Sequence, residues 1–337
     1  MKRLLIVALA GLLTACSTTP KQTAPVTIEK YTDISIYDSQ ALEFINPKAQ
    51  VEVLATGYAW TEGPLWIDEG FLLFSDIPNN TIEKYTPGEG VELYLQPSGG
   101  TGLYPDDDQG GSNGLLLSEK GELIALQQGD RRIAAMDAPL QAPTPDFIPL
   151  TDHYQGKRLN SPNDGVIASD GRLYFTDPPY GLAKGDDDPR RELDFNGVFA
   201  LEPTGELVLL DDQVKAPNGI ALSRDEKTLF VAVSDKDNPQ WLAYDITAEG
   251  ELANKRVFFD SRQVENPGPG VPDGMAVHSE GIIFATGPGG VWMFTEKAKL
   301  LAIIHTGRLT ANCTLDTKQK NLYITAHDAL LKVKLKP

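Results

Sequence analysis

The chain has 337 residues, with 47 acidic against 30 basic side chains and a formal net charge of −17. A surface this acidic repels phosphate backbones and anionic lipid headgroups, which excludes nucleic-acid binding. Two cysteines are present, Cys16 and Cys313; if the first is modified, no intramolecular disulfide can form.

In chain order, Met1-Lys2-Arg3 is a short positive segment ahead of an apolar run, Leu4 to Leu13. The run is too short to cross a bilayer and suits the apolar region of a signal peptide. It ends in "LTAC", residues 13–16, which resembles the lipobox of bacterial lipoproteins. The resemblance implies cleavage after residue 15, lipidation of Cys16 and an N-terminal anchor as the sole membrane contact. Ser17, in place of Asp, implies sorting to the outer membrane, with the protein facing the periplasm. The Thr-, Pro- and Ser-rich stretch that follows is expected to be a flexible tether over 16–38. The folded domain is then 39–337.

Beyond residue 60, one pattern of turn, apolar or alternating strand and second turn recurs six times. It is seen at 68–76, 119–127, 169–177, 224–235, 279–287 and 318–326. Hairpin turns followed by β-branched and aromatic residues mark each as a strand, and most are followed by another. No segment carries sustained 3.6-residue apolar periodicity with caps, so helix should be scarce. Repeats of this length, each of several strands, predict an all-β, six-bladed β-propeller. The segment at 50–58 is expected to complete one blade and close the ring.

Just before each repeated strand stands one oxygen-bearing residue: Glu62, Asn113, Asn163, Asn218, Asp273 and Asn312. In a propeller such positions converge on the axis, although about 50 residues separate most of them in sequence. Carboxylates and amide carbonyls, without His or Cys, suit a hard cation, and an irregular amide-rich cage suits Ca²⁺ better than Mg²⁺. The acidic runs at 105–108 and 185–188 read as solvated loops, since neither has the spacing of an EF-hand. "GGSNG" at 110–114 matches a nucleophile-elbow pattern but lacks the strand before and the helix after it. The four histidines show no metal-binding spacing, and His327 reads as a surface or core residue.

The segments "TEGPLW", "SNGLLL", "QGDRRI", "LNSPNDGVIASDGRLYFTDPPYGL", "PNGIALS" and "PDGMAVHSEG" resemble the gluconolactonase/senescence-marker-protein (regucalcin) family. The likeness runs from about residue 45 to the C-terminus. It implies an axial divalent cation, Ca²⁺ by preference, held by Glu62, Asn163, Asn218 and Asp273, and hydrolysis of a sugar lactone. Asp273 is the candidate base, and Asn113, Asp164 and Gln128 are candidate substrate contacts. The chain departs from the family at Ser161, where the regucalcin branch has Arg, and at Gln128, where many bacterial relatives have His. Both positions are expected near the substrate mouth.

A small-molecule lactone is the expected partner, and a monomer the expected state. Three alternatives stay open: a calcium-binding envelope scaffold without activity, a phosphotriesterase, and a hydrolase of another ester such as a homoserine lactone. The Gly-, Pro- and Asp-rich loops at 98–112 and 183–194 are expected to be mobile lids.

Overall fold

The computed structural model describes residues 33–104 and 110–336. The signal peptide, Cys16, most of the tether and the acidic run at 105–108 lie outside the described residues.

Five four-stranded antiparallel sheets and one five-stranded sheet form the blades of a propeller. Blade 1 spans residues 61–95, blade 2 spans 112–151, blade 3 spans 165–211 and blade 4 spans 217–260. Blade 5 covers 275–305, and blade 6 covers 312–334. The outermost strand of blade 6, Val51–Thr56, comes from the N-terminal side and pairs with Ala329–Lys334, closing the ring as expected. Helix is confined, among the described residues, to Ala41–Phe44 and two short 3₁₀ turns.

The six recurring segments are the second strand of each blade, for example Phe71–Asp76 and Ile282–Gly287. Their residues are buried almost throughout rather than in alternation. A blade packs between two neighbours, so both of its faces are core. Six apolar clusters fill the seams between blades. The most aromatic, between blades 4 and 5, sets Trp241 against Trp292 and Phe294, with ring centroids 5.4 and 5.3 Å apart. Burying one such large side chain contributes roughly 1.5–3 kcal/mol, so the stability of the ring is spread over all six seams.

The tether expected over 16–38 ends earlier than that. Ile34–Ile36 is a strand paired with Leu300–His305, giving blade 5 a fifth strand. Ile34 and Ile36 are buried in the seam between blades 5 and 6, and Ser35 Oγ bonds His305 Nε2 at 2.8 Å. Two apolar residues spaced by two are a strand signal in their own right, and burying them outweighs the polar composition around them.

The described parts of the two loops expected to be mobile lids carry several polar contacts. Asn80 Oδ1 accepts from the backbone N–H groups of Ser98, Gly99 and Gly100 at 2.9, 3.0 and 3.1 Å. In the second loop Asp188 pairs with Arg190 at 2.8 Å, and Arg131 Nη1 donates to the Arg190 carbonyl at 3.1 Å.

Candidate active site on the propeller axis

The six inner strands pack side by side around the axis, each against the next, and the last returns to the first. The oxygen-bearing residues stand at the same end of every one. Glu62, Asn113 and Asn218 are second residues of Thr61–Ile67, Ser112–Leu117 and Pro217–Leu222. Asn163 and Asp273 lie two residues ahead of Gly165–Ile167 and Met275–Val277, and Asn312 opens Asn312–Leu315.

In blades 1, 2 and 4 the motif is not a turn, as its Pro and Gly suggest, but part of the strand. The pairing register slips between Glu62 and Leu65, between Ser112 and Leu115, and between Pro217 and Ile220. A bulge at the head of the inner strand re-aims its side chain toward the axis. The hydroxyl of the second strand then reaches across to the next blade. Ser75 Oγ donates to the Asn113 carbonyl at 2.8 Å, Thr176 Oγ1 to the Asn218 carbonyl at 2.7 Å, and Thr286 Oγ1 to the Ala311 carbonyl at 2.7 Å.

One cavity of about 380 Å³ opens over this end of the axis. Blades 1 to 5 give it Glu62, Asn113, Asn163, Asn218 and Asp273, and Gln128, Ser234, Trp60, Ile77, Tyr180 and Val271 are among the other walls. All four expected ligands and two of the three expected substrate contacts therefore meet there. No Lys, Arg or His lines it among the described residues.

Asp164 does not join them. Its neighbour Asn163 faces the cavity, while Asp164 turns the other way and lines a separate axial space. Asp164 Oδ1 accepts from Gly165 N at 2.9 Å, and its Oδ2 from Asn312 Nδ2 at 3.3 Å. It is a support beneath the ring, because successive residues of an extended chain point to opposite sides. Asn312 likewise stays below the cavity. Ser161 is not itself a wall of the cavity: it is fully buried, and its Oγ donates to the Pro178 carbonyl and accepts from Gly181 N. It shapes the turn that presents Tyr180.

Electrostatically the ring is short of positive charge. Burial, and then the charge of Asp164, push the Glu62 carboxyl up to about 8. Burial, with the charges of Glu62 and Asp164, raises Asp273 well above the usual carboxylate range. Oδ1 atoms of Asn113, Asn218 and Asp273 are buried without a hydrogen-bond partner. Orphaned oxygens and crowded carboxylates cost free energy that a divalent cation would recover. No three His, Cys, Asp or Glu side chains among the described residues approach closely enough to hold an ion. A cation at this ring would need the amide oxygens as donors as well, a set that suits a hard ion.

Other candidates fall away on geometry. Ser112 is fully buried, with its hydroxyl 2.8 Å from Ser75 Oγ and no imidazole beside it. His327 is exposed and meets the edge of Trp60 at 5.6 Å between ring centroids. Trp60, Ile77, Tyr180, Ser234 and Val271 were not expected in the site. Trp60 and Tyr180 flank the recognisable segments "TEGPLW" and "DPPYGL" or lie in them; the rest carry no periodic signal.

Fold and site together define a six-bladed propeller with an oxygen-lined cavity at one end of its axis. Residues 60–328 match the model of the SMP-30/Gluconolactonase/LRE-like region, and the chain belongs to that family. A gluconolactonase from Zymomonas mobilis is 36% identical over 317 residues, spanning 92% of this chain and 87% of its own length. A regucalcin from Xenopus laevis is 27% identical over 235 residues, 68% of each chain. Among solved structures, a gluconolactonase from Xanthomonas campestris matches with a TM-score of 0.77 at 29% identity, covering 90% of this chain and 95% of that one.

Proposed function

We propose that the protein is a calcium-dependent lactonase that opens a gluconolactone-like sugar lactone. The observation that carries this reading is the cavity itself, where five oxygen-bearing side chains from five blades meet and three of their oxygens are orphaned. The similarity to gluconolactonases supplies the reaction class.

Glu62, Asn163, Asn218 and Asp273 would hold the cation. Bound there, Ca²⁺ would polarise the lactone carbonyl and offset the negative charge that grows on its oxygen. Glu62 is the fixed anchor, since Gly63 N already donates to its Oε2 at 3.2 Å. Asp273 offers the carboxylate oxygen with no protein partner, and it takes the proton of the attacking water. The water oxygen bonds to the carbonyl carbon, the ring C–O bond breaks, and a proton passes to the departing alkoxide. Asn113 and Gln128 orient the lactone through their amides, while Trp60, Ile77 and Val271 keep bulk water from the reacting carbon.

The test is direct. Protein stripped with EGTA should lose hydrolysis of glucono-δ-lactone and regain it with Ca²⁺. Full activity after exhaustive chelation rejects the mechanism.

A further inference from the structure

Asn218 presents a problem of orientation. An amide has two ends of similar shape and opposite polarity, and only the oxygen serves a cation. With the side chain reversed, the NH₂ group would face the axis. The hydrogen-bond partners of one hydroxyl resolve the choice.

Ser234 lines the cavity just beyond the second strand of blade 4, and its own N–H is tied to the Ala216 carbonyl at 2.9 Å. Its Oγ lies 2.6 Å from the carbonyl of Pro272 and 2.9 Å from Asn218 Nδ2. A carbonyl only accepts, so the single hydroxyl proton of Ser234 is committed to Pro272. What remains for Asn218 is a lone pair, and a lone pair selects the NH₂ end of the amide. The Oδ1 end must then point away from Ser234, and it is this atom that is buried without a partner, on a residue that is itself 6% exposed.

The same hydroxyl acts on blade 5. The peptide between Pro272 and Asp273 is held on both edges: its carbonyl by Ser234, and its N–H by the Thr286 carbonyl at 3.0 Å. Asp273 Oδ1 is likewise left without a partner. We propose that Ser234 is the positioning residue of the axial site, a one-proton relay that fixes the Asn218 amide with its oxygen toward the axis and locks the backbone that carries Asp273. It works through these two ligands rather than on the reacting atoms. The inference rests on the cation-binding reading above.

Calcium titration of the EGTA-stripped full chain by calorimetry tests it, with metal-free thermal unfolding measured alongside. Ser234→Ala removes the lone pair and should weaken Ca²⁺ binding about tenfold, the scale of one well-made hydrogen bond. Its metal-free melting temperature should change little. Ser234→Thr keeps the hydroxyl and should bind within about twofold of wild type, on the same hydrogen-bond scale. Unchanged affinity in Ser234→Ala overturns the proposal. So does an equal loss in both variants with a matching fall in metal-free stability, which marks packing alone. Wild-type protein that binds no Ca²⁺, and behaves like Asn218→Ala, instead rejects the cation reading beneath the proposal.

Discussion

Gly219 lies so close to the carbonyl of Asp273 that a β-carbon at 219 would sit well under 3.0 Å from that oxygen. Gly63 stands in the same relation to Asn113 between blades 1 and 2. The glycine that follows one blade's axial residue is therefore the surface on which the next blade's axial residue is seated. Gly219→Ala should force the two inner strands apart, costing about 1–3 kcal/mol, the scale of overpacking in a tight core. Urea denaturation of the two proteins in EGTA would read this difference. Calcium affinity should fall as well, because the strands that separate carry Asn218 and Asp273.

Asp273 and Asp164 should respond differently to the same chemical change. Asp273→Asn keeps an oxygen at the cavity but removes the proton acceptor, so kcat should fall by about 10²–10⁴ with KM little altered. Asp164→Asn lies beneath the ring, and KM for the lactone should not change. Steady-state kinetics at saturating Ca²⁺ separate the two, and a raised KM in Asp164→Asn would return that residue to the list of substrate contacts.

Among the described residues the cavity has no basic side chain in its walls, and three carboxylates crowd the axis. They outnumber the two charges of a calcium ion. A negatively charged substrate thus meets net repulsion in a site of reduced dielectric, on the order of 1–2 kcal/mol at the separations involved. The protein should prefer glucono-δ-lactone to its 6-phospho derivative by about 5- to 30-fold in kcat/KM. Placing a cation in the wall with Val271→Arg should narrow that ratio, as measured with the two lactones side by side.

Cys313 is buried, and its thiol lies 3.4 Å from the Phe284 carbonyl. Burial first, and then the charge of Asp164, push the thiol well above its ordinary value. The thiolate is the reactive form, so native protein should resist a thiol reagent at pH 8 at this position and react only on unfolding. Prompt labelling of a Cys16→Ser variant under native conditions would contradict the packing between blades 5 and 6.

Much of this architecture was legible in the chain. Six recurring strand signals and six oxygen-bearing residues predicted a propeller with a polar axis, and the strands fall where the signals stand. The ring-closing role of residues 50–58 was legible too, since an apolar β segment ahead of the first repeat has no blade of its own. What was not legible is how each residue faces. "SPNDG" offers Asn163 and Asp164 as equals, yet one enters the cavity and the other turns to Asn312. Gln128 and Ser161 both seemed to belong at the mouth, but Ser161 is occupied by the turn at Pro178.

The sequence by itself determined the number of blades and the chemical type of the group at each blade's head. Periodicity and donor chemistry are local properties, written in consecutive residues. The tertiary structure alone decided the orientation of those groups and the identity of the cavity wall. Trp60, Tyr180, Ser234 and Val271 come from loops without a period, and they meet only because six strands close into a ring. The direction of the Asn218 amide depends on a hydroxyl 16 residues away and a carbonyl on the next blade, contacts that exist only once the blades have docked.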